Sequence, residues 1–204
     1  FNCLDSGHVH SLADEIKLNL NSLKEIEPQA AIDNASDETL IAIDDKLLTI
    51  YEANGENVNP NPVAHLFDRK MNLLGEIDLP NIEYRITDGI WLKESNELVL
   101  LNYFWPGDQE AYKPATDRIS LNFGENGNNK EVKAVERIIY LDYSENSITY
   151  SDREPIQIKL LENGESRNWE GLVEIDNLGY IIATDKYPET ILAFIRKKEA
   201  NEKD

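Results

Sequence analysis

The sequence predicts an all-β chain built from repeated antiparallel meanders. Short β-rich apolar runs alternate with Asn/Asp/Gly and Pro turns, which is the pattern of hairpin-linked strands. No long window carries a helical period. One unit also recurs: an acidic residue before a small or turn-forming one, a strand, an acidic turn, and a strand closing on a carboxylate or amide.

The unit is clearest over Arg167–Arg196. Trp169-Glu170-Gly171 leads into Leu172, Val173 and Ile175. A turn at Asp176-Asn177-Leu178-Gly179 follows, then Tyr180–Ala183 ending at Thr184-Asp185-Lys186, then Ile191–Ile195. Upstream, Glu27-Pro28 opens a first copy over about residues 25–80. Its runs are Leu40–Asp44, Leu47–Tyr51, Val63–Asp68 and Leu73–Leu79, with a polar turn at Asn34–Glu38 and a surface loop at Asn54–Pro62. Asp88-Gly89 opens a second copy within residues 82–161. Ile90–Leu92 and Glu97–Tyr103 flank a turn at Lys93–Asn96. A long loop from Trp105 to Thr116 then interrupts, with Arg118–Leu121 beyond it, a Gly/Asn-rich loop at Asn122–Lys130, and strands at Val135–Tyr143, Ser147–Tyr150 and Ile156–Leu161. Residues 1–24 add one alternating strand, Glu15–Leu20, and residues 197–204 form a charged tail.

The copies also share offsets. Glu27, Asp88 and Glu170 are each followed six residues later by another acid: Asp33, Glu94 and Asp176. Repeated four-strand meanders point to a single β-propeller-like domain over residues 1–204, incomplete or degenerate because closure around an axis takes at least about four blades. A β-sandwich is the alternative. The chain opens at Phe1 without an initiator Met, so it reads as a processed chain or an excised piece: either the leading fragment and the uneven second copy hide further strands, or an upstream segment completes a larger ring.

Of 204 residues, 39 are Asp or Glu and 20 are Lys or Arg, a formal net charge of −19. That field repels nucleic acid and anionic membrane surfaces, and no run is long and apolar enough for membrane insertion. It attracts divalent cations, although acidic surfaces also serve solubility alone. The one cysteine, Cys3, excludes an internal disulfide framework and a Cys-rich zinc site. No G-x-S-x-G elbow is present, and the Gly124–Gly127 segment is acidic, which excludes a phosphate-cradling role for it. His8 and His10 share one face of an extended segment, with His65 as the only other imidazole.

Val135-Glu136-Arg137-Ile138, Leu141-Asp142-Tyr143, Asn168-Trp169-Glu170-Gly171-Leu172 and Ala183-Thr184-Asp185-Lys186 resemble the C-terminal half of the esterase-like phytase propellers. The resemblance is best over residues 132–196, thin before residue 80, and shared in part by NHL-type and gluconolactonase-like propellers. It implies a phytase-like or esterase-like hydrolase and an extracytoplasmic home, secreted or periplasmic.

In a propeller the innermost strands line the channel, so Glu27, Asp88 and Glu170 are the candidate ligands for a Ca²⁺ that neutralises them; the alternative is that they cap turns. Glu170, Asp185 and Lys186 are the catalytic candidates. Arg85 and Arg137 are cations suited to a small anionic substrate, and Trp105 is the aromatic candidate for a ring-bearing ligand. Two functions follow: a metal-dependent phosphoester or ester hydrolase, or a non-catalytic propeller that docks a protein or glycan at its mouth.

Overall fold

The computed structural model describes residues 23–123, 133–176, 178–185 and 187–197. The expected strand Glu15–Leu20, Cys3, His8, His10, most of the Asn122–Lys130 loop, Lys186 and nearly all of the tail lie outside the described residues.

Among the described residues, twelve strands form three antiparallel sheets, none closed on itself. The first holds β1 (Asp37–Ile43), β2 (Lys46–Tyr51), β3 (Val63–Asp68) and β4 (Leu73–Asp78) in chain order. The second holds β5 (Arg85–Leu92), β6 (Glu97–Phe104), β7 (Val135–Ser144) and β8 (Ser147–Tyr150), with β9 (Ile156–Gln157) also paired to β7. The third holds β10 (Trp169–Ile175), β11 (Gly179–Thr184) and β12 (Leu192–Arg196). The hairpin turns fall where Asp and Asn accept positive φ: Asp44 at 49°, Asn96 at 54° and Asp176 at 37°.

The sheets stack, and the second lies between the others. Period-two alternation makes this possible. Leu98 and Leu100 of β6 turn toward Ile41, Leu48 and Ile50 of the first sheet. Val99 and Leu101 turn the other way, toward Trp169, Leu172, Tyr180 and Ile182 of the third. Every residue of β6 is buried. Burial of each of its leucines contributes about 1.5–3 kcal/mol.

The first strands of the sheets lie side by side, β1 against β5 and β5 against β10. Gly89 permits the first approach. A Cβ there would fall 2.4 Å from a Leu100 methyl and 3.1 Å from Ile41 and Thr39 side-chain carbons.

The connection after β6 differs from the expected loop. Pro106–Asp108 is a 3-10 turn, Gln109–Tyr112 forms helix α1, and Arg118–Asn122 forms helix α2. Asp117 caps α2, its carboxylate accepting the Ile119 N–H at 3.1 Å. The expected strand Ile156–Leu161 is shortened to Ile156–Gln157. Among the described residues no helix is long and apolar enough to cross a membrane.

Candidate functional site

One irregularity recurs in all three first strands. The β1–β2 register skips Glu38, β5–β6 skips Thr87, and β10–β11 skips Glu170. Each skip is a β-bulge, which leaves one residue out of the ladder and re-aims its side chain. All three lie at the start of the first strand, the end opposite the Asp44, Asn96 and Asp176 turns. Glu38, Thr87 and Glu170 therefore occupy corresponding places.

Around these bulges a carboxylate-rich cluster assembles. Glu52, just past β2, donates its backbone N–H to the Ser36 carbonyl and accepts from the Ile86 N–H, so it is clamped between the first and second sheets. Its side chain is fully buried. Oε1 accepts from the Arg85 guanidinium and from the Tyr112 hydroxyl. Oε2 is buried without a hydrogen-bond partner among the described residues. Glu38 lies beside it. Burial first, then the Glu52 charge and a hydrogen bond to it, push the Glu38 carboxyl up to about 8. Protonated, Glu38 is a donor to the Glu52 carboxylate.

Arg85 holds the other side. Besides Glu52 it reaches Asp108 at 3.0 Å, and its guanidinium lies 4.9 Å from the Tyr112 ring centroid. Burial raises Tyr112 well above the usual phenol range, and the Glu52 charge adds to it. Tyr112 therefore stays a hydroxyl donor.

Glu170 approaches from the third sheet. Tyr103 donates to the Asn168 side-chain carbonyl, and the Asn168 amide donates to Glu170, a relay that orients the carboxylate. Burial and the nearby Asp185 charge raise the Glu170 carboxyl. Asp185 is held beside Glu170 by its backbone N–H, 3.1 Å from the Asn168 carbonyl.

The residues expected from sequence divide. Glu170, Asp185 and Arg85 belong to the cluster; Lys186 lies outside the described residues. Glu27 is exposed and precedes β1 by ten residues, so it does not begin an innermost strand. Asp88 is a tie between sheets, its carboxylate accepting the Gly89 and Leu172 N–H groups at 2.8 and 2.7 Å. Next to it, the Thr87 hydroxyl donates to the Trp169 carbonyl at 2.6 Å. Glu27, Asp88 and Glu170 do not form a ligand set, and among the described residues no group of three His, Cys, Asp or Glu side chains is placed to hold a metal ion.

Arg137 is corrected from ligand-binding cation to structural cross-link. It is 1% exposed and donates to both Asp117 oxygens, at 2.7 and 3.1 Å, and to Asn102 at 2.7 Å. Its neighbour Glu136 accepts from the Trp169 indole at 2.8 Å and from the Arg167 guanidinium at 2.6 Å, binding β7 to the start of β10. Trp105 is 48% exposed beside the site, its ring stacked over Gly107 in the turn that carries Asp108. His65 is buried and faces Asp37 at 3.4 Å. Its hydrogen bond to Asp37 raises its pKa.

Glu38, Glu52, Tyr112, Asp108 and Asn168 were absent from the sequence-derived set. No protein-family model, curated protein or solved structure matches the chain, so none of these comparisons identifies the esterase-like phytase family.

Proposed function

We propose that the three sheets are successive blades of a propeller-like array and that the bulged end is a hydrolytic mouth, with Glu38 and Glu170 as the acid and the base. The Glu38 carboxyl carries this reading, protonated up to about pH 8 beside a Glu52 whose charge Arg85 fixes. A general acid must hold its proton at the working pH while its companion is ionised; burial raises both carboxyls, and the larger shift at Glu38 makes it the acid. Glu38 gives its proton to the leaving oxygen. Glu170, oriented by Asn168, takes one from the attacking water, so an ester and water become an acid and an alcohol with both carboxyls then re-equilibrating. Glu52, which is fully buried, and Arg85, which pairs with it, are positioning residues.

The expected calcium ligands do not come together, so no step is assigned to a cation. The mouth is also the wrong place for a phosphoester anion. Glu38, Glu52, Glu170 and Asp185 supply carboxyls there, and the Arg85 charge is already shared by Glu52 and Asp108. Uncharged esters and glycosides suit it better, with Trp105 as an exposed ring platform on the adjoining turn.

A panel of chromogenic esters, glycosides and phosphoesters tests this, with wild type, Glu38→Gln and Glu170→Gln compared across pH. The expected result is turnover of an uncharged substrate that falls about 10²–10⁴-fold in either variant. Wild-type rates should decline above about pH 8 as Glu38 loses its proton. The second reading, a non-catalytic docking end, rests on the exposed Trp105 ring beside the cluster. Folded wild type that turns over no class of substrate would establish that reading instead.

A further inference from the structure

The third sheet buries one face against the second sheet, and among the described residues the other face is left open. The open face consists of three cross-strand rows: Gly171–Ala183–Leu192, Val173–Ile181–Phe194 and Ile175–Gly179–Arg196. Leu192 is 73% exposed, Phe194 53% and Val173 48%. Phe194 lies flat across the Gly179 backbone; a Cβ there would be 2.9 Å from the ring. Scattered exposed apolar side chains are ordinary, whereas a contiguous face of them marks an interface.

Its charge is as unusual as its apolarity. The chain has 39 acidic residues, yet no position in these rows is a carboxylate, and the only charge is Arg196. Arg196 sits at one end. At the other end the turn after β11 carries the exposed Asp185 and Glu189.

We infer that this face is a self-association surface and that its occupant is the same face of a second copy of the chain. A twofold axis through the central Val173–Ile181–Phe194 row reverses one copy relative to the other. That superposes apolar rows on apolar rows and brings Arg196 of each copy toward the acidic turn of its mate. The stacking repeats the sheet-on-sheet contact already present on the opposite side of the third sheet. It also keeps the carboxylates of a chain of net charge −19 out of the interface centre.

Sedimentation equilibrium of the full chain over a range of concentrations tests this. The expected result is a monomer–dimer equilibrium, with the dimer lost in Leu192→Asp and in Phe194→Asp and kept in Leu40→Asp, a change at a 38% exposed site on the first sheet. Leu192 is the more exposed, so its variant folds even where Phe194→Asp does not, and circular dichroism checks each. A strictly monomeric wild type overturns the inference. So does a dimer that survives Leu192→Asp with its fold intact.

Discussion

Strands β6 and β12 are both apolar on both faces in sequence, and the fold treats them oppositely. In β6, Glu97–Phe104, all eight residues are buried, because the first sheet covers one face and the third covers the other. In β12, Leu192–Arg196, exposed and half-buried residues alternate. The difference teaches that the apolar run measures how many layers a strand is built to support. A continuous run such as Leu98–Leu101 belongs to a central sheet. The Leu-Ala-Phe-Ile run of β12 has the same texture with one layer supplied, and that mismatch exposes Leu192 and Phe194.

The comparison is sharpest where the central sheet is sealed, at Arg137. Arg137→Ala leaves Asp117 buried without its cation, and the expected loss is about 3–5 kcal/mol in urea-induced unfolding. Burial alone would raise Asp117; the Arg137 charge and its hydrogen bonds outweigh burial and hold the carboxyl below the usual range. This contribution is present above the unfolded-state pKa of Asp117 and is lost as the pH falls through its lower folded value. A loss as small as at a surface site would show that the ion pair is not what closes this layer.

Next comes the same truncation made twice. Leu100→Ala in β6 should cost about 2–5 kcal/mol, because a fully buried side chain leaves a cavity. Leu192→Ala in β12, measured in dilute protein, should cost within about 0.5 kcal/mol. Equal costs would erase the contrast between the sheets.

A smaller effect separates the mouth from both. Glu38 holds its proton up to about pH 8 in the folded chain, against 4.5 as the ordinary value. Between those values the native state binds a proton that the unfolded state has released, so stability falls as pH rises through the window. It is unaffected below about 4.5 and fully reduced above about 8. Glu38→Gln has no proton to lose there and should flatten that slope while matching wild type near pH 4. Half-exposure of Glu38 keeps the change modest. Parallel pH curves for the two proteins would mean that Glu38 ionises normally.

Most of the sheet order was legible because hairpins are local. The runs at Val63–Asp68, Glu97–Tyr103 and Val135–Tyr143 became β3, β6 and β7 within a residue. Of the three acid pairs spaced six apart, only Glu170–Asp176 joins a bulge to the turn of its hairpin. Counting back six from the hairpin turns at Asp44, Lys93 and Asp176 lands on Glu38, Thr87 and Glu170, the three bulges. Anchoring instead on Glu27-Pro28 and Asp88-Gly89 followed composition and missed Glu38, which read as part of a polar turn. Helices α1 and α2 span four and five residues, too short for a helical period to register. The Glu52 partners lie 33 and 60 residues away at Arg85 and Tyr112, so nothing local in the sequence announces them.

The repeated bulge has a consequence for how such a chain can change. Each bulged residue stands outside its ladder, so exchanging it leaves strand register alone, although at Thr87 it also removes the hydroxyl tie to Trp169. The bulged end thus carries three corresponding sockets, filled here by Glu, Thr and Glu. A lineage could exchange the Glu38 and Glu170 sockets one at a time while its strand register stays fixed.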